Sequence, residues 1–156
     1  MRWMMSASLW REEPPSAWLA NRAAARALWA GRFWAFSHQE ALESMEKLRG
    51  VKASLYLAAH RGVYESLDPW IDRNIALIRR LSREILALID RPMTLGEVQT
   101  AVCEHYHLLT SNVSRAGLYE RNIRIYAEYL RDTGAVDVEA RRGILYYCPK
   151  EGGETR

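Results

Sequence analysis

Ser54-Leu55-Tyr56-Leu57-Ala58-Ala59-His60-Arg61-Gly62-Val63-Tyr64 is the stretch from which the rest of the chain is read. A short run that is apolar at both odd and even positions, residues 53–59, suits a strand covered on both faces. It runs directly into a histidine and a glycine turn. A metal-competent side chain at the end of a buried strand is where folds that mix helices with strands place their chemistry.

Downstream of it the signals are mainly helical. Asp68-Pro69 has the form of a helix start, with proline at the first position. Trp70, Ile71, Ile75, Ile78, Leu81, Ile85, Leu88 and Ile89 then mark one apolar stripe up to Arg91-Pro92. Thr94-Leu95-Gly96-Glu97 has capping-box spacing and opens a helix using Leu95, Val98, Val102 and His105 or Tyr106. Another helix is expected from about Ala116 to Asp132, closed by Gly134. Residues 135–139 and 144–148 alternate about Arg141-Arg142-Gly143, which is a hairpin signal. Three helices followed by a hairpin is the order of a winged helix, a variant of helix-turn-helix. Its expected interior is Leu95, Val98, Val102, Ile123, Tyr126, Leu130, Val136, Val138 and Leu145.

Upstream, Pro14-Pro15-Ser16 ends an irregular segment, and the Ala- and Arg-rich residues 17–30 favour helix until Gly31. Ser37-His38-Gln39-Glu40 again has capping-box spacing, before Ala41, Leu42, Met45 and Leu48 on one face and a stop at Gly50. The fold class expected is α+β, mainly α: N-terminal helices and one short strand, a long helix, then a C-terminal winged-helix module. The domain boundaries read as 1–67, 68–150 and a fraying, disordered tail at 151–156.

Composition narrows the function classes. A chain of 156 residues with 49% hydrophobic residues builds a packed core in one domain or two small ones. A net charge of +3 permits nucleic-acid binding without arguing for it. Every apolar segment is interrupted by charge, so no membrane span is expected. Cys103 and Cys148 form neither a CxxC pair nor a disulfide framework; reduced, buried thiols in a cytoplasmic protein are the expectation.

Two segments resemble the C-terminal part of metallo-β-lactamase-fold hydrolases. One is Ala41-Leu42-Glu43-Ser44-Met45-Glu46-Lys47-Leu48, leading through the strand to Ala59-His60-Arg61-Gly62. It looks like that family's "SL-x-K-L" helix, last strand and "H-x-G" turn. The other runs from Trp70-Ile71-Asp72-Arg73-Asn74 through Arg91-Pro92-Met93-Thr94-Leu95-Gly96-Glu97 to Tyr126-Ala127-Glu128-Tyr129-Leu130. It is similar to the helical, winged-helix extension of one branch of these enzymes. Together they span roughly residues 37 to 148. The resemblance makes residues 1–67 a remnant of the metallo-β-lactamase-like layer. His60 matches the family's last zinc ligand, and zinc or another divalent metal is the cofactor of the parent enzyme.

The family's H-x-H-x-D-H loop is absent, and no aspartate matches its bridging ligand. Zinc takes three or four N, O or S ligands, so one copy of this chain is expected to hold no cofactor and to be inactive alone. Cys103 and His107, four apart, face one side of a helix, but no second ligand pair accompanies them. His38, in the first turn of its helix, reads as a surface residue. Ser66, Ser82, Ser111 and Ser114 lack any nucleophile context.

The expected role is that of a structural or dimerisation module. A homodimer through residues 1–60 is the expected partner arrangement, because the apolar strand and the five tryptophans before residue 35 leave surface to cover. The alternative is a winged-helix nucleic-acid binder or regulator, with Arg141 and Arg142 at the wing tip touching phosphate. Between Arg115 and Arg142 six arginines face five acids, a balance of +1, which is weak for a DNA reader.

Overall fold

The computed structural model describes residues 37–58 and 62–150. Within them the protein is α+β and mainly helical.

Helix α1, His38–Arg49, starts where Ser37 Oγ accepts the Glu40 N–H at 3.4 Å and ends at Gly50. Its inward face is His38, Ala41 and Met45, spaced three and four apart as one helical stripe requires. At its end Arg49 reaches Glu46 at 2.9 Å, Asp72 at 2.7 Å and Asp68 at 3.5 Å. These charges are solvated, so they fix the direction of the chain more than its stability.

The run expected as one buried strand is instead half of an antiparallel ribbon. Strand β1, Tyr56–Ala58, pairs with β2, Gly62–Tyr64, with Leu57 opposite Val63 and Ala58 opposite Gly62. Tyr56 Oη donates to the Val51 carbonyl at 2.6 Å and accepts the Ala53 N–H at 3.3 Å, which closes the approach to the ribbon. Leu55 and Val63 are each 58% exposed.

Helix α2, Asp68–Leu88, is the spine. Asp68 is its first residue rather than its cap. Leu67 holds the cap position, and Ser66 Oγ satisfies the Asp68 N–H at 3.2 Å. Ile71, Ile75, Ile78, Leu81 and Ile85 are buried along one stripe, and the helix ends before Pro92.

Strand β3, Met93–Thr94, is too short to have been visible as a period-two pattern. Helix α3, Leu95–His105, follows immediately on a complete capping box between Thr94 and Glu97. Glu97 also takes a 2.8 Å ion pair from Arg91, and these hydrogen bonds, led by the Thr94 N–H, hold its carboxyl down at about 2. Helix α4, Val113–Asp132, begins three residues before the expected position, because Asn112 Oδ1 accepts the Arg115 N–H at 3.0 Å.

Strands β4, Val136–Arg141, and β5, Ile144–Pro149, close a three-stranded sheet in the order β3-β5-β4. Arg142 and Gly143 form their two-residue turn, at φ 52° and 81°. Positive φ at both positions is the geometry that matches the twist of a tight hairpin.

Of the expected interior, Val98, Val102, Ile123, Tyr126, Leu130 and Val136 are buried, and Leu95 and Val138 are half-buried. Leu145 is 49% exposed. It pairs with Ala140, and burial fades along β4 from Val136 through Val138 to Ala140. The strand alternation places Leu145 on the face of Tyr147, but too near the tip for the helices to cover it.

Candidate functional site

His60, the residue matched to a metal ligand of the parent enzyme, lies outside the described residues. Among the described residues no group of three or more His, Cys, Asp or Glu is placed to hold a metal ion. Cys103 and His107 do not share a helix face: α3 ends at His105, and His107 sits in the left-handed region at φ 53°. Burial pushes the Cys103 thiol pKa up, which keeps the thiol protonated and unreactive. His105 packs edge-on against Tyr106 with ring centroids 4.7 Å apart.

The serines are accounted for without chemistry. Ser66 Oγ accepts the Asp68 N–H, and Ser82, buried, donates to the Ile78 carbonyl at 2.8 Å. Ser111 and Ser114 are exposed around the start of α4.

Arg141 and Arg142 stand at the hairpin tip, and both are exposed. Arg141 is already engaged: it pairs with Glu139 at 2.7 Å and lies 5.0 Å over the ring of Tyr146. Exposed Ile144 and Leu145 flank the turn.

The structure instead brings together a cluster that sequence reasoning missed. His38 is 5% exposed, not a surface residue. Its ring lies on Tyr126 of α4 with centroids 4.0 Å apart, and meets Tyr129 edge-on at 6.0 Å. Neither ring nitrogen has a hydrogen-bond partner. Desolvation by burial lowers the imidazole to about 4, so it is neutral at pH 7.

The opposite side of α2 carries the second half of the cluster. Tyr106, just past α3 and 3% exposed, donates its hydroxyl to Glu84 Oε2. Arg80 Nε stands 3.5 Å from Glu84 Oε1, in an ion pair whose geometry gives that N–H no hydrogen bond. Burial, and then the Glu84 carboxylate, raise the Tyr106 pKa, so the hydroxyl keeps its proton. Arg80 also acts on Tyr126, whose pKa burial raises.

Four helices thus meet through His38, Arg80, Glu84, Tyr106 and Tyr126. The signal for His38 was its spacing to Ala41 and Met45, and that for the burial of Tyr106 its spacing to Val98 and Val102; no local signal joins Tyr106 to Glu84 on another helix.

Beside this cluster a groove of about 670 Å³ is bordered by α1, α2 and α4. Leu42, Ile75 and Tyr129 line it, with Glu43, Glu46, Lys47 and Arg79 among its charged side chains. Its lining contains no serine, cysteine or histidine. No protein-family model matches the chain, and no curated protein sequence matches it.

Proposed function

We propose that residues 37–148 are the C-terminal part of a metallo-β-lactamase-fold, metal-dependent hydrolase and act as its structural and dimerisation module. The observation that supports this most is the order after β2. A 21-residue helix leads into strand, helix, helix and hairpin, with the short β3 paired to β5. We read that unit as a winged helix.

In the parent chemistry a metal-bound water attacks an ester, thioester or amide. His60 is the one residue of this chain matched to a ligand, where zinc takes three or four. The chain alone is therefore non-catalytic in this reading. Its surface suits contact with protein. Leu48, Val51, Leu55 and Val63 are exposed between α1 and β2, as are Ile144 and Leu145 at the hairpin tip. The backbone register puts positions 55 and 63 on the same face of the ribbon. No helix among the described residues is long and apolar enough to cross a membrane.

Three measurements test the reading. Metal analysis of protein purified without chelator should find far less than one zinc per chain. Stoichiometric zinc lost in His60→Ala would overturn the non-catalytic assignment. Sedimentation at micromolar concentration should show a dimer, converted to monomer by Leu55→Asp with Val63→Asp. A wild-type monomer of 18.0 kDa rejects the dimerisation role. The winged-helix order also favours one other reading, a nucleic-acid binder. A gel shift on non-specific duplex at low salt, abolished by Arg141→Ala with Arg142→Ala, would put that reading first.

A further inference from the structure

We propose that His38 makes the docking of α1 an acid-sensitive latch, closed when its imidazole is neutral and released when the imidazole takes a proton. The imidazole lies in the α1–α4 contact, almost fully buried, with both nitrogens unpartnered. A neutral ring tolerates that place as an aromatic surface against Tyr126. A protonated ring brings a charge and a second N–H donor into a place where neither nitrogen has a partner.

The groups around it do not relieve that charge. From α4 it meets Tyr126 and Tyr129, both phenols. From α2 the buried face is aliphatic apart from Ser82, whose hydroxyl is already donated to the Ile78 carbonyl, and the charged groups of the cluster are Arg80 and Glu84, paired with each other and neither acting on the imidazole. Arg79 of α2 lies on the groove with Glu43, Glu46 and Lys47 of α1. Glu40, exposed in the first turn of α1, faces solvent. Burial is the one influence resolved on the imidazole, with no ion pair or hydrogen bond contributing. The first turn of a helix is also the positive end of its dipole, which disfavours a cation.

Few contacts resist release. Besides His38, the buried residues of α1 are Ala41 and Met45. A released histidine titrates near 6.5 and the docked one near 4. The docked state binds the proton more weakly, so docking is fully present above pH 6.5 and weakens as pH falls toward 4. Between pH 7.5 and pH 5 this linkage shifts the equilibrium about 30-fold toward release. Release would uncover Tyr126, Tyr129 and the apolar floor of the groove, and free the segment that carries the ribbon.

Hydrogen exchange of the full chain, corrected for intrinsic rates, tests the latch. From pH 7.5 to 5, α1 amides should lose protection about 30-fold, while α3 and α4 amides change far less. In His38→Phe the α1 protection should be flat over the same range. Equal pH dependence in wild type and variant, or none in wild type, overturns the proposal. Should His38→Phe fail to fold, the NMR titration of the His38 ring decides. A midpoint near 4 supports the latch, and one near 6.5 overturns it.

Discussion

Tyr106→Phe removes one oxygen from the centre of the helix cluster and leaves the ring in place, so its cost isolates a single bond. The ring is 3% exposed and phenylalanine fills the same volume, so no cavity term enters. What is lost is a hydroxyl donating to the Glu84 carboxylate. Hydrogen bonds to a charged partner contribute about 1.5–3 kcal/mol. Two features reduce that here. The Glu84 side chain is 36% exposed, so water can solvate the abandoned oxygen, and Arg80 stays 3.5 Å from the other one. We expect a loss of about 1–2 kcal/mol, hence a fall in Tm of about 2–8 °C for a chain of this size. Tyr106→Ala should cost about 3–5 kcal/mol, because the ring goes too. Urea unfolding followed by circular dichroism measures both. In Glu84→Gln the effect of Tyr106→Phe should shrink by at least half, since the partner's charge is gone. A cost below about 0.5 kcal/mol for Tyr106→Phe, or full additivity with Glu84→Gln, would refute the claim that this bond ties α2 to the end of α3.

Five further substitutions probe the same fold. Leu130→Ala, at a position 3% exposed in α4, should cost about 2–5 kcal/mol by denaturant unfolding; less than 1 kcal/mol would remove Leu130 from the core. Gly143→Ala should destabilise the hairpin by about 1 kcal/mol, because φ is 81° there, whereas Arg142→Asn, at φ 52°, should be neutral or stabilising by thermal melt. Thr94→Ala should cost about 1 kcal/mol by opening the capping box. Glu97→Gln should flatten the acid limb below pH 4.5, since the native carboxyl titrates near 2 and its contribution, present above pH 4.5, is lost as pH falls.

Which parts of this fold were legible follows from how local their causes are. The stripe from Ile71 to Ile85 and the Thr94–Glu97 box are written within one or two helical turns, and both stand where the spacing put them. Asn112 precedes the expected start at Ala116, although an asparagine accepting the N–H three residues on is a local cap signal. The two-residue β3 has no periodicity to detect; it exists because Met93 and Thr94 meet Tyr147 and Tyr146, more than fifty residues away. Leu145 shows the same limit from the other side. Alternation sets the face of a strand residue, but whether a helix reaches that far along the strand is a tertiary fact. The run around Tyr56 looked like a buried strand because both its faces are apolar. Composition alone does not show that its partner is the neighbouring segment 62–64.

The same distinction governs the two halves of the helix cluster. Helix α4 buries Tyr119, Ile123, Tyr126, Ala127 and Leu130, while the neighbouring Tyr129 remains half-exposed. Its inner residues belong to the core shared with α2 and α3, and the Tyr126–Tyr129 edge is what α1 leans on. Contacts of the first kind are closed by hydrogen bonds, as at Tyr106 and Glu84, and by fully buried aliphatics. The contact of the second kind is closed by an imidazole with no partner and by Ala41 and Met45. A lesion at Leu130 therefore reaches both layers, because α4 supports α1 as well as the core. A lesion at His38 reaches only the outer one. That asymmetry makes α1, rather than the winged-helix-like unit, the part of the described fold expected to open first.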